Sequence, residues 1–202
     1  ASGRMIASYT PASAGLLNDL DLLPDGRVAV TDSIAGTVYL LDPSEASPSL
    51  RPLLPAGSFE GPNGIVTLAD GRLVVADFHA LWLVDPSAAA PLRKRRLTTP
   101  GGRYLGGMDG LARDGDHIVA IQNPVGLGRV WRFRVDAAAE HVDDLQLLLR
   151  QHPDLRNPTT GVVVGRRFLF VVDPKLQVFA DQAMTLAPAG RRGHRILALP
   201  LP

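Results

Sequence analysis

Hydrophobic positions along the chain fall in short runs rich in β-branched residues, broken by Asp-Gly pairs at Asp25-Gly26, Asp70-Gly71 and Asp114-Gly115. An Asp-Gly step between two apolar runs predicts a tight hairpin, because glycine accepts the positive φ that the turn demands. The runs also recur in order. Asn18-Asp-Leu-Asp-Leu-Leu-Pro-Asp-Gly-Arg-Val-Ala-Val-Thr-Asp32, followed by Gly36-Thr-Val-Tyr-Leu-Leu-Asp-Pro43, is repeated as Asn63-Gly-Ile-Val-Thr-Leu-Ala-Asp-Gly-Arg-Leu-Val-Val-Ala-Asp77 and Leu81-Trp-Leu-Val-Asp-Pro86. A third copy runs from Asp109 to Asn123 and on through Arg129-Val-Trp-Arg-Phe-Arg-Val-Asp136, and a fourth opens at Thr160 and reaches Asp173. The starts are 45, 46 and 51 residues apart.

A unit of roughly 40–50 residues built from about four short strands is the signature of a propeller blade, since each blade buries its faces only against its neighbours. An immunoglobulin-like sandwich would also be all-β but would not repeat its sequence at this period. The chain is therefore expected to be an all-β β-propeller of four-stranded antiparallel blades, with helix limited to an occasional turn. At this period 202 residues cover roughly four and a half blades, whereas closed propellers have whole numbers. Residues 1–202 are expected to form a single propeller domain that lacks an N-terminal blade. Residues Gly193 to Pro200 are expected to supply a last strand.

The repeat also predicts a site. The innermost strand of each blade lines the central channel, so residues that begin those strands converge on one rim. Asn18, Asn63, Asp109 and Thr160 hold that place. The Asp-Gly turns belong to the opposite face, and returning strands bring Asp32, Asp77 and Asn123 back to the first face, further from the axis. A ring of amide and carboxylate oxygens suits calcium or another hard divalent cation.

Composition narrows the chemistry. Lysine and arginine number 21 against 20 acidic residues, which leaves a formal charge of +1 and no electrostatic reason to expect nucleic acid or a membrane surface as partner. A small-molecule partner is expected instead. With no cysteine, thiolate metal sites, disulfides and cysteine nucleophiles are excluded. The first eight residues lack the apolar core of a signal peptide, and no run approaches the ~18 apolar residues of a membrane-spanning helix. A secreted or periplasmic protein is expected if a signal once preceded residue 1, and a cytoplasmic one otherwise.

Leu17-Asn-Asp-Leu-Asp21 with Thr31-Asp-Ser33, Gly61-Pro-Asn-Gly-Ile65 and Gly107-Met-Asp-Gly-Leu111 together resemble the SMP-30/gluconolactonase/LRE family, close in architecture to paraoxonases. Ala120-Ile-Gln-Asn123, Arg129-Val-Trp-Arg132 and Asn157-Pro-Thr-Thr-Gly-Val-Val163 are similar to bacterial members of that superfamily. The resemblance implies six blades and a divalent ion, calcium in type, that polarises a lactone or ester carbonyl. Carried onto this chain, it makes Asn63 and Asp109 metal ligands, Asp109 also the catalytic base, and Asn18 a substrate-orienting residue. The family's first-blade Glu has no counterpart here. Glu60 lies in the Asn63 blade and cannot take its place, and the fourth repeat offers the neutral Thr160, a further substrate-binding candidate.

Each residue also has a structural reading. Asn and Asp before a strand satisfy turns by bonding local backbone. The outer Asp32, Asp77, Asp42, Asp85 and Asp136 recur with the repeat and are expected to hold turns. The five histidines show no metal or triad spacing, and only His79, in a loop after Asp77, is placed with the substrate-binding candidates. Trp82 and Trp131, at equivalent strand positions, are expected to pack between blades. Two functions follow: a cation-dependent hydrolase of a lactone or ester, or a non-catalytic propeller that binds a small ligand or protein.

Overall fold

In the computed structural model, residues 3–90, 93–123, 128–136, 138, 140–172 and 195–202 are described, and Asp173, Gly193 and His194 from the sequence reading lie outside them. The described residues form four antiparallel sheets. The first holds β1 (Leu17–Leu22), β2 (Val28–Asp32), β3 (Thr37–Leu41) and β4 (Arg51–Pro52), and the second β5 (Ile65–Thr67), β6 (Leu73–Ala76), β7 (Leu81–Val84) and β8 (Lys94–Arg96). The third holds β9 (Met108–Asp114), β10 (His117–Gln122), β11 (Arg129–Asp136) and β12 (His141–Arg150). The fourth pairs β13 (Gly161–Val164), β14 (Arg167–Val171) and β15 (Ile196–Pro200), which is the strand expected at the chain's end.

Strands in every sheet lie side by side in chain order, and the innermost strands β1, β5, β9 and β13 follow one another around an axis. This is a β-propeller of four blades. Among the described residues, helix is confined to a single 3-10 turn at Pro100–Gly102. The hairpin turns form where the Asp-Gly pairs predict them, with Gly26, Gly71 and Gly115 at φ of 89°, 85° and 66°.

The core lies between blades. Val38, Phe59, Ile65 and Val75 pack the first blade on the second. Leu81, Leu97, Met108, Ile118 and Phe133 join the second to the third, and Val119, Val130, Phe168 and Phe170 join the third to the fourth. Full burial of each such side chain contributes about 1.5–3 kcal/mol. Residues 3–16 form no strand. Leu20 and Leu22 on β1 stay 60% and 63% exposed, and Val162 and Val164 on β13 stay 55% and 52% exposed, so the outer faces of the first and fourth blades are not buried against each other.

Candidate active site at the channel mouth

Asp109 is the second residue of β9, and its carboxylate is mostly buried. The side-chain amide of Asn123 donates to its Oδ2, and the Asn63 side chain also hydrogen-bonds to it. Burial pushes the Asp109 carboxyl up to about 7, with the nearby Asp19 charge adding to the rise and the two amides opposing it. A buried carboxylate without a cationic partner is costly as an anion, and the site therefore favours capture of a proton or a cation.

Glycines bring this group together. A Cβ on Gly64 would lie 2.0 Å from the Asp109 backbone oxygen, and one on Gly110 would lie 2.7 Å from the Thr160 Cα. Only glycine lets successive inner strands approach this closely at the rim, which explains the Asn-Gly and Asp-Gly steps at the start of blades two and three, whereas Gly161 of the Thr-Gly step sits against β14 of its own blade. Blade one breaks the rule with Asp19 in the glycine position. Its Oδ2 accepts from the Ile65 N–H at 3.2 Å, and Asp21 Oδ2 accepts from the Thr67 N–H at 2.6 Å, so carboxylates span the gap to blade two. Burial and the Asp21 charge raise the Asp19 carboxyl above its ordinary value, against the Ile65 and Leu20 N–H groups.

Asp19 is the candidate site residue that the repeat reading missed. Its signal was present as the one departure from the Asn/Asp/Thr-Gly pattern. Asn18 is exposed on the same face of β1 as Leu20 and Leu22, and its side-chain amide donates to Ser33 Oγ at 2.9 Å. Thr160 is exposed beside Gly110, next to Asp109. His79 stands on the loop after β6 with Nε2 2.7 Å from Glu60 Oε2, both side chains in solvent.

Asn123 requires a correction. It is not the equivalent of Asp32 and Asp77. Trp82 Nε1 donates to Asp77 at 2.7 Å, whereas the equivalent Trp131 Nε1 donates to Gln122 at 3.0 Å. Val75 faces Trp82 and Ala120 faces Trp131, so the hairpin of blade three is one residue shorter and Gln122 fills the structural position. Asn123 falls one residue further on and turns to Asp109.

The outer aspartates hold turns as expected. Burial alone would raise Asp32, but N–H groups of Leu16, Ala35, Gly15 and Ile34 hold its carboxyl low. Asp77 likewise accepts from the His79 and Ala80 N–H groups at 2.9 and 2.8 Å.

Among the described residues, no three His, Asp or Glu side chains gather closely enough to enclose a metal ion. The donors at the mouth are instead Asp109, its two carboxamide partners Asn63 and Asn123, and Asp19 behind them. The ligand atoms such a set could offer are oxygens, although the Asn123 amide turns its N–H to Asp109 and both Asp19 oxygens accept backbone N–H groups, and the Asp109 carboxylate lacks a positive neighbour. That chemistry fits a hard, partly hydrated cation and not a zinc-like site.

Fold and mouth together define a β-propeller. Neither a protein-family model nor a curated protein matches the sequence. Solved structures do match in shape. One in a nidogen/laminin complex superposes with a TM-score of 0.66 at 16% identity, over 99% of this chain and 65% of that one. A luciferin-regenerating enzyme gives 0.55 at 14%, over 93% and 63%. The PQQ-bound aldose sugar dehydrogenase of Streptomyces coelicolor gives 0.54 at 15%, over 92% and 62%. The chain thus spans less than two thirds of the length of these propellers, and at such identities the likeness is one of fold.

Proposed function

We propose that the channel mouth is a divalent-cation site, calcium in type, at which a lactone or simple ester is hydrolysed. The observation that carries this reading is the buried Asp109 carboxylate, held by Asn63 and Asn123 and raised to about 7 by its burial and by the nearby Asp19 charge. Asn63 and Asp109 would hold the ion, with Asn123 fixing the Asp109 carboxylate. When bound, such an ion would supply electrophilic polarisation of the substrate carbonyl. Asp109 in its ionised form would also accept the proton of the attacking water. Thr160 and Asn18, both exposed, would offer hydrogen-bonding groups to the substrate, as would His79, which pairs with Glu60 in solvent.

The resemblance to the SMP-30/gluconolactonase/LRE family supports the same chemistry, and the luciferin-regenerating enzyme is among the propellers of similar shape. A second reading, a propeller that presents a binding face without catalysis, is favoured by the exposed apolar faces of the outer blades. Hydrolysis of a panel of simple lactones and esters, with and without added calcium, separates the two. The wild type should turn over at least one of them only with the ion, Asp109→Asn should lose more than about 100-fold of that rate, and Asp32→Asn should lose stability instead. No turnover of any member by the wild type with any divalent ion present would leave the binding reading.

A further inference from the structure

Outside the mouth, a cleft lined by described residues has a volume of about 400 Å³, within the roughly 300–1,000 Å³ typical of small-ligand sites. It lies between the loop after β6, the end of β8 and the connector from β8 to β9. Its floor is apolar, built by Leu81, Leu97 and Leu105. Arg96 and Arg103 line it as well, and both are exposed. Among the described residues neither guanidinium has a carboxylate partner, while the neighbouring Arg95 is engaged by Glu140 at 2.6 Å. Arg103 instead lies over the Trp131 ring, 5.8 Å from its centroid.

The walls are fixed before any ligand arrives. The Tyr104 hydroxyl donates to the Phe78 carbonyl, and Thr99 Oγ1 donates to the Arg103 carbonyl at 2.7 Å. A Cβ on Gly106 would lie 2.6 Å from the His79 carbonyl carbon, so the connector is seated directly under the loop after β6. Preorganisation of this kind removes ordering cost from binding. Of the carboxylates beside this loop, Glu60 is taken up by His79, and the buried Asp77 accepts from the His79 and Ala80 N–H groups and from the Trp82 indole.

We propose that this cleft binds a small organic anion: an apolar or aromatic body on the leucine floor, with its carboxylate shared by Arg96 and Arg103. Two planar guanidiniums match a carboxylate in geometry as well as charge, and a bare inorganic anion would leave the leucines uncovered. The reading is independent of any ion at the mouth.

The test is calorimetric titration of the wild-type chain with benzoate in the presence of EDTA, so that no divalent ion bridges protein and probe. Saturable binding is expected, with benzamide and inorganic phosphate each at least tenfold weaker. The double variant Arg96→Gln, Arg103→Gln should lose at least tenfold for benzoate while melting as the wild type does, and Arg103→Lys should retain part of the affinity. Absence of saturable benzoate binding would overturn the proposal, and so would equal affinity in the double variant. Phosphate binding as tight as benzoate would overturn the organic-anion assignment.

Discussion

Gln122 and Asn123 sit on either side of the end of β10, and strand geometry turns neighbouring side chains to opposite sides. Gln122 is fully buried, takes the Trp131 N–H and donates to the Gly106 carbonyl at 2.9 Å. Asn123 faces the mouth and donates to Asp109. Their removal should therefore separate cleanly. Gln122→Ala orphans a buried indole N–H and a carbonyl and should cost about 1–3 kcal/mol in chemical denaturation, with cation affinity unchanged. Asn123→Ala removes a donor that favours ionised Asp109, so the carboxyl should titrate above 7 and cation affinity at pH 7 should fall, with a smaller loss of stability. Equal effects of the two substitutions on both readouts would contradict this division. Sequence spacing alone put Asn123 in the structural position, because a hairpin shortened by one residue leaves the Asp109-to-Asn123 interval equal to those of the other blades. Only the strand register shows the shift.

Inner strands β1, β5, β9 and β13 are held at the rim by two devices that the repeat encodes differently. Blades two and three use Gly64 and Gly110 for close approach to the next inner strand, and blade one uses Asp19 and Asp21 as carboxylate bridges to the β5 backbone. Gly64→Ala would place a methyl group 2.0 Å from the Asp109 carbonyl oxygen and must force β5 and β9 apart. We expect a loss of about 3 kcal/mol, at the upper end of overpacking costs, together with loss of cation binding. The control is Gly57→Ala. Unlike Gly64, that glycine has a positive φ, 75°, but open space where the Cβ would go, so only backbone strain of about 1 kcal/mol should appear and the mouth should be unaffected. Thermal unfolding of both variants checks this, and a Gly64→Ala variant as stable as the wild type would show that the rim does not need the contact. The strands and turns were legible in the sequence because Asp-Gly hairpins and β-branched runs are local signals. The carboxylate bridges were not, because they join residues 46 apart.

Across the whole molecule, a one-dimensional repeat of 45 to 51 residues became four blades in register, with three interblade cores that no single blade could form. Fold class was readable for that reason. The mouth was readable only in part: the convergence of Asn63 and Asp109 followed from the repeat, but the charge state followed from burial and from Asp19, which no spacing reveals. The central claim is that this buried carboxylate awaits a cation. Because its pKa is raised to about 7, the folded state holds the proton that the unfolded chain would release near pH 4. The stability this proton confers is therefore present at low pH and lost as pH rises through 7. A divalent ion must displace the same proton, so its affinity should grow about tenfold between pH 6 and pH 8. Calcium titration followed by thermal unfolding at both pH values is the direct measurement. The account predicts a saturable rise in Tm that is larger at pH 8, absent in Asp109→Asn, and accompanied by a higher ion-free Tm for Asp109→Asn at pH 8. A wild-type Tm indifferent to calcium, magnesium and manganese at pH 8, or a calcium response retained in full by Asp109→Asn, would contradict it.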